Sequence, residues 1–131
     1  MMEILEPIRS VLRNHPEVKL CIVFGSVATG RASAGSDLDI AVAGDRALSE
    51  EQYLNLCDAL SSATPRMVDL LDLMTANGEI LKQALSKGVL VQNLDKGLYA
   101  RLIIRMLYNQ ADMMPYHYRI LRERRERFLN G

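Results

Sequence analysis

Residues 20 to 42, Leu-Cys-Ile-Val-Phe-Gly-Ser-Val-Ala-Thr-Gly-Arg-Ala-Ser-Ala-Gly-Ser-Asp-Leu-Asp-Ile-Ala-Val, constrain the chain more than any other stretch. An apolar run, Leu20 to Phe24, stops at Gly25-Ser26, a loop of small residues follows, and a second apolar run, Leu38 to Val42, opens with Asp37 and Asp39. Strand side chains alternate faces, so two acids spaced i, i+2 project on the same side. Asp is also disfavoured in strands. Two carboxylates ~4 Å apart repel by about 4 kcal/mol at an effective dielectric of ~20. A strand that keeps such a pair expects a cation, and oxygen-only ligands select a hard one, Mg²⁺ or Mn²⁺. Gly25-Ser26 offers the complement: glycine admits close backbone approach, and backbone N–H groups with a hydroxyl at the start of a helical turn suit phosphate. The two halves together describe a metal–nucleotide site.

The rest of the chain reads as one domain wrapped around this stretch. At 131 residues it has one domain's length and can bury a core without a staple. Ile4, Leu5, Ile8, Val11 and Leu12 share a helical face within 2 to 13, with Pro7 in the early turns and Asn14-His15-Pro16 as the stop. His15 reads as a surface residue. Leu20 to Phe24 is a strand buried on both faces. Val27 to Arg31 is a short helical turn opened by Ser26, and Leu38 to Val42 is the second strand. Ser49 with Gln52 forms a capping box. It opens a helix whose apolar face is Tyr53, Leu54, Cys57 and Leu60, and Ser61 to Pro65 is a loop. Met67 to Leu73 is a third strand. Asn77 caps a helix burying Ile80, Leu81, Ala84 and Leu85, with Gly88 at its end. Val89 to Gln92 is extended, and Asp95 starts a helical tail with Leu98, Leu102 and Met106 on one face, broken at Pro115. This order predicts a small α/β (α+β) domain, a mixed sheet with packed helices. Residues 1–95 form the core and 96–131 a C-terminal helical extension.

Composition excludes several functions. Net charge is zero, against the many phosphate contacts of a general nucleic-acid binder. No apolar run approaches the ~18 residues of a membrane span. Cys21 and Cys57 sit inside apolar runs and read as buried free thiols of a reducing compartment, the cytoplasm.

Gly25-Ser26, ten residues, then Asp37-x-Asp39 resembles the signature of the DNA polymerase beta-like nucleotidyltransferases. The short chain and its C-terminal region are most similar to the minimal nucleotidyltransferases (MNT), specifically the MNT antitoxins encoded beside HEPN ribonuclease toxins. That resemblance implies the minimal nucleotidyltransferase fold, Mg²⁺ as cofactor (two ions) on Asp37, Asp39 and a third carboxylate, ATP as substrate, and Gly25 and Ser26 holding its triphosphate. Alternation puts Asp69 and Asp72 on opposite faces of the third strand, so at most one joins the site. Pattern alone leaves both open, and the resemblance favours Asp69. Ser36 either bonds the nucleotide or caps the strand. Arg31 either meets phosphate or lies on the surface.

The chain has almost nothing beyond the core to bind an acceptor. The resemblance implies that a partner brings it: a hydroxyl, tyrosine, on a HEPN toxin. AMP transfer would block that toxin by charge and bulk. The alternatives are a steric antitoxin without catalysis, and transfer to a small molecule or RNA end. Tyr99, Leu102, Ile103, Met106, Leu107, Tyr108, Met113, Met114, Tyr116, Tyr118 and Phe128 form a tail rich in the residue types of protein interfaces. The chain has twelve Arg to four Lys, and five of those Arg lie between 119 and 127. The tail is read as a hetero-oligomer or homodimer surface, with His117 as an interface or surface group.

Overall fold

The computed structural model describes residues 2–30 and 37–112, with side chains described to residue 108. Nine elements follow one another in chain order: α1 (Met2–Leu12), β1 (Leu20–Phe24), α2 (Gly25–Ala28), β2 (Leu38–Ala43), α3 (Glu50–Ala63), β3 (Val68–Asp72), α4 (Gly78–Lys87), β4 (Val89–Asn93) and α5 (Lys96–Asp112). The four strands form one sheet in the order β3-β2-β1-β4. β1 is antiparallel to β2 and β4, and β2 is parallel to β3, joined through the α3 crossover. The predicted mixed sheet with packed helices is what forms.

Strand alternation divides the interior into two layers. On one face Cys21, Val23, Leu38, Ile40, Val42, Val68, Leu70 and Val91 pack under Ile4, Ile8 and Leu12 of α1 and Leu56 and Leu60 of α3. On the other, Leu20, Ile22, Phe24, Ala41, Ala43 and Leu73 meet Leu81, Ala84 and Leu85 of α4 and Leu98, Leu102 and Met106 of α5. Both faces of β1 are covered, which is why its sequence is apolar without alternation. Asp39 lies on the α4/α5 face of β2, the face it shares with Ala41 and Ala43.

The helix ends follow local chemistry. The Ser49 hydroxyl accepts from the Gln52 N–H at 3.1 Å, and the Gln52 side chain accepts from the Ser49 N–H at 2.9 Å, completing the capping box. The Asp95 carboxylate accepts from the Leu98 N–H at 3.0 Å and opens α5. Asn77 stands at the N-cap of α4 but makes no capping bond with its side chain. Gly88 ends α4 at φ −79°, not in the left-handed region. A Cβ there would collide with Ile22 and the Ala84 carbonyl, so its smallness lets helix and sheet close together. Arg105 of α5 donates to the carbonyls of Leu73, Met74 and Ala76, tying the last helix to the segment after β3.

Several predicted details differ. The helical turn after β1 begins at Gly25 and ends at Ala28, rather than spanning Val27 to Arg31. α3 continues to Ala63, through most of the expected loop, and Thr64 closes it by bonding the Leu60 carbonyl. Leu54 and Ile80 are exposed, because helix spacing turns Leu56 inward in α3 and leaves Leu81, Ala84 and Leu85 to fill α4's inner face. His15 is half-buried against Glu17 at 3.3 Å, not a plain surface residue. Cys21 and Cys57 are both free thiols, and burial pushes Cys21 up to about 12. Among the described residues, no helix is long and apolar enough to cross a membrane. Arg31, Ser36, the break at Pro115, and the tail residues Met113, Met114, Tyr116, His117, Tyr118 and Phe128 lie outside the described residues.

Two leucines of α3, two residues apart, provide a test of this packing. Leu56→Ala should cost about 2–5 kcal/mol in urea unfolding, because it empties a fully buried site. Leu54→Ala should change stability by no more than about 0.5 kcal/mol, as for a surface substitution.

Candidate active site

The site is assembled where β1 ends and where β2 and β3 begin. β2 runs antiparallel to β1, so Phe24, the residue before Gly25, stands opposite Asp39. β3 runs parallel to β2 in a register that puts Asp39 opposite Asp69 and Leu38 opposite Val68. Directly opposed residues of neighbouring strands project on the same face. Asp39 and Asp69 are therefore side by side, with Asp37 two residues before Asp39, just ahead of β2. Asp37 and Asp69 are exposed, and Asp39 is half-buried between them.

Gly25 closes the site from β1. Its φ is +74°, a conformation that residues with a Cβ seldom adopt. A Cβ on it would collide with the Asp39 carboxylate, with Oδ2 the first atom met and Cγ at 3.0 Å. The first residue of the expected phosphate loop is thus also the lid over the second acid of Asp37-x-Asp39. Ser26 follows in the first turn of α2, half-buried, and its carbonyl accepts from the Thr29 hydroxyl at 3.2 Å.

The electrostatics follow from this crowding. The Asp39 carboxyl is raised above its ordinary value, first by burial, then by the charges of Asp69 and Asp37, and lastly by a side-chain hydrogen bond with Asp69. Crowded like charges favour a cation, and carboxylate oxygens suit a hard one such as Mg²⁺ or Mn²⁺. Among the described residues, no three His, Cys, Asp or Glu side chains are already gathered as a metal cage. A Mg²⁺ site that takes part of its coordination from substrate phosphates requires no such cage.

Asp72, the other candidate for the third acid, is engaged elsewhere. Its carboxylate accepts from the Leu48 N–H at 2.8 Å and from the Met74 N–H at 2.9 Å. It lies one register step past Leu71 and opposite Val42, at the far end of the β2–β3 pair. The structure brings Asp37, Asp39 and Asp69 together beneath Gly25 and leaves Asp72 as a fastener of the segments on either side of α3 and β3.

Residues 6–97 match the family model described as Polymerase beta, Nucleotidyltransferase. The chain belongs to that family. The sequence is 35% identical over 75 residues to the protein adenylyltransferase MntA of Shewanella oneidensis, covering 57% of this chain and 54% of that protein. It thus spans about half the length of the curated relative it matches. Its fold superposes on a chain from a toxin–antitoxin crystal structure with AMP-PNP, with a TM-score of 0.68 and 25% identity, over 96% of this chain and 95% of that one. It also superposes on a chain from the complex of tri-AMPylated Shewanella oneidensis HEPN toxin with MNT antitoxin, with a TM-score of 0.67 and 22% identity, over 98% and 95%. In this member of the family the sequence signature and the crowded acids meet at the same residues, Gly25, Asp37 and Asp39.

Two features escaped the sequence reading. The contact of Gly25 with Asp39 joins residues fourteen apart, and its trace in sequence is that Gly25 ends one apolar run and Asp39 lies at the start of the next. Tyr53 read simply as a core residue of α3, yet its hydroxyl donates to the Leu70 carbonyl at 2.6 Å, beside Asp69.

The raised Asp39 carboxyl carries a stability prediction with a definite sign. A carboxyl that holds its proton more tightly folded than unfolded costs stability above its unfolded range and nothing below it. Asp39→Asn should therefore raise the melting temperature of metal-free protein at neutral pH, and the gain should vanish by about pH 3, below the ordinary Asp value. Thermal melts in chelator across that range read both ends.

Proposed function

We propose that this nucleotidyltransferase transfers AMP from ATP to a side-chain hydroxyl, tyrosine, of a HEPN toxin, and so serves as its antitoxin. The observation that carries the reading is the opposed pair Asp39 and Asp69, with Asp37 beside them and Gly25 above, in a chain of this family. The similarity to a protein adenylyltransferase, and to chains from toxin–antitoxin structures with AMP-PNP and with a tri-AMPylated HEPN toxin, supports the choice of nucleotide and acceptor.

In this proposal Asp37, Asp39 and Asp69 hold Mg²⁺, with two ions completing the set, and Gly25 and Ser26 cradle the triphosphate. Arg31 and Ser36, in the connection between them, are further candidates for nucleotide contacts. When bound, Mg²⁺ neutralises charge on the phosphoryl oxygens and on the leaving pyrophosphate. The acceptor oxygen attacks the α-phosphorus and forms the new P–O bond. The bond from the α-phosphorus to the α–β bridging oxygen breaks, and pyrophosphate departs. Asp69, on an edge strand and open to solvent, accepts the hydroxyl proton and passes it to water. Because the charge in such transfers is spread over phosphoryl oxygens, positioned charges and donors carry most of the catalysis.

The acceptor is brought by the partner, and the C-terminal region from residue 96 onward is where the partner is met. Ile104, Leu107 and Tyr108 on α5 are exposed, while Leu102 and Met106 of the same helix belong to the core. Free thiols and a dependence on ATP fit the cytoplasm.

The deciding experiment is incubation of the purified protein with a HEPN-domain partner, Mg²⁺ and ATP, followed by intact mass of both chains. AMP should appear on the partner and stop appearing when metal is chelated. A stable complex with no mass change would instead make this a steric antitoxin. The two third-strand acids separate cleanly. Asp69→Asn should lower the transfer rate by about a hundred-fold or more, the scale of losing one transition-state contact. Asp72→Ala should leave the rate constant of folded protein intact while costing about 1–3 kcal/mol of stability through two orphaned N–H groups.

A further inference from the structure

The strand that carries Asp69 is the least supported strand of the site. β2, with Asp37 at its mouth and Asp39 within it, is bonded to β1 on one side and β3 on the other, whereas among the described residues β3 has only β2. Along β3 the backbone groups alternate between the two sides. The Met67 carbonyl accepts from Leu38 N–H, and Leu73 N–H donates to the Val42 carbonyl, both at 2.8 Å, so the odd-numbered residues face β2. Val68 and Leu70 present their carbonyls to the open edge.

α3 covers that edge. The Tyr53 hydroxyl donates to the Leu70 carbonyl at 2.6 Å, and the Cys57 thiol reaches the Val68 carbonyl at 3.9 Å. The Leu48 N–H, just before α3, donates to the Asp72 carboxylate at 2.8 Å. Three alternate residues of β3 are thus held from one side, in reverse chain order. The spacings agree: four residues of helix rise about 6 Å and two residues of strand about 6.6 Å, so Tyr53 and Cys57 stay in step with Leu70 and Val68. From its layer on the sheet's face, α3 sends these two side chains to the carbonyls that a fifth strand would bond, and Asp69 lies between the two carbonyls they hold. Of the two side-chain bonds to those carbonyls, the thiol's is long and intrinsically weak, so Tyr53 does most of the holding.

We propose that Tyr53 is a positioning residue for Asp69, fixing the edge strand at the height where Asp69 meets Asp39. The inference rests on the reading of Asp69 as the third catalytic carboxylate. Tyr53 packs on the α1/α3 side of the sheet, opposite the face that carries Asp39 and Asp69. Its ring is half-buried in the α1/α3 layer, and its hydroxyl fixes the strand from the far side.

The test is Tyr53→Phe, which keeps the ring and removes the bond. The rate constant for AMP transfer to the HEPN partner should fall about ten-fold, within the range that misplacement of a reacting group by up to ~1 Å produces. KM for ATP should hold. Mn²⁺ affinity in the presence of AMP-PNP, read by EPR, should weaken with the rate. Leu12→Val, which thins the same core layer away from β3, serves as the control for lost stability and should leave rate and Mn²⁺ affinity unchanged. In an Asp69→Glu background, where the carboxylate is already displaced, Tyr53→Phe should cost little more. A wild-type rate and Mn²⁺ affinity in Tyr53→Phe, or an equal fold-loss in both backgrounds, would overturn the proposal. A wild-type rate in Asp69→Asn would instead sink the active-site reading beneath it.

Discussion

Everything in this fold answers to the crowding of three carboxylates at the mouth of the β2–β3 pair. Burial and their mutual repulsion act against the charged form of Asp39, and its carboxyl is raised accordingly. The sheet resists by bonding β2 on both sides and by placing covering helices on both faces. The parallel register sets Asp39 against Asp69, and the positive φ of Gly25 lets the turn after β1 close over them. A shift of one residue in that register would turn Asp69 to the opposite face and into the apolar layer under α3.

The same arrangement explains the division of labour between helices. α4 and α5 cover the face on which the acids stand, but Ala41 and Ala43 are small there, leaving volume for Leu81, Ala84, Leu98 and Leu102. On the other face, the strands carry Val, Ile and Leu, and α1 and α3 complete a conventional core. α3 does double duty, since its inner side packs on the sheet while Tyr53 and Cys57 close the sheet's open edge.

Much of this was legible in the sequence because it rests on local periodicity. The limits of β1, the capping box at Ser49 and the buried stripe Leu98, Leu102, Met106 each follow from spacing and residue type within a single element. Asp37 and Asp39 share a face by alternation alone. The choice between Asp69 and Asp72 was not legible from pattern, since it depends on strand register, a pairing between residues thirty apart. Leu54 and Leu56 are a narrower case. Both suit a helix interior, and only the angle at which α3 meets the sheet sends Leu56 inward. Tyr53 and Arg105 act through side-chain bonds to distant backbone carbonyls, and no side-chain pattern announces those.

The central claim is that Asp37, Asp39 and Asp69 form one receptor for metal beneath Gly25. The most direct measurement is anomalous scattering from crystals grown with Mn²⁺ and a non-hydrolysable ATP analogue. Mn²⁺ peaks should lie within coordination distance of all three carboxylates, with the analogue's phosphates against Gly25 and Ser26. Peaks at Asp72, or nucleotide bound with no metal at the three acids, would contradict it.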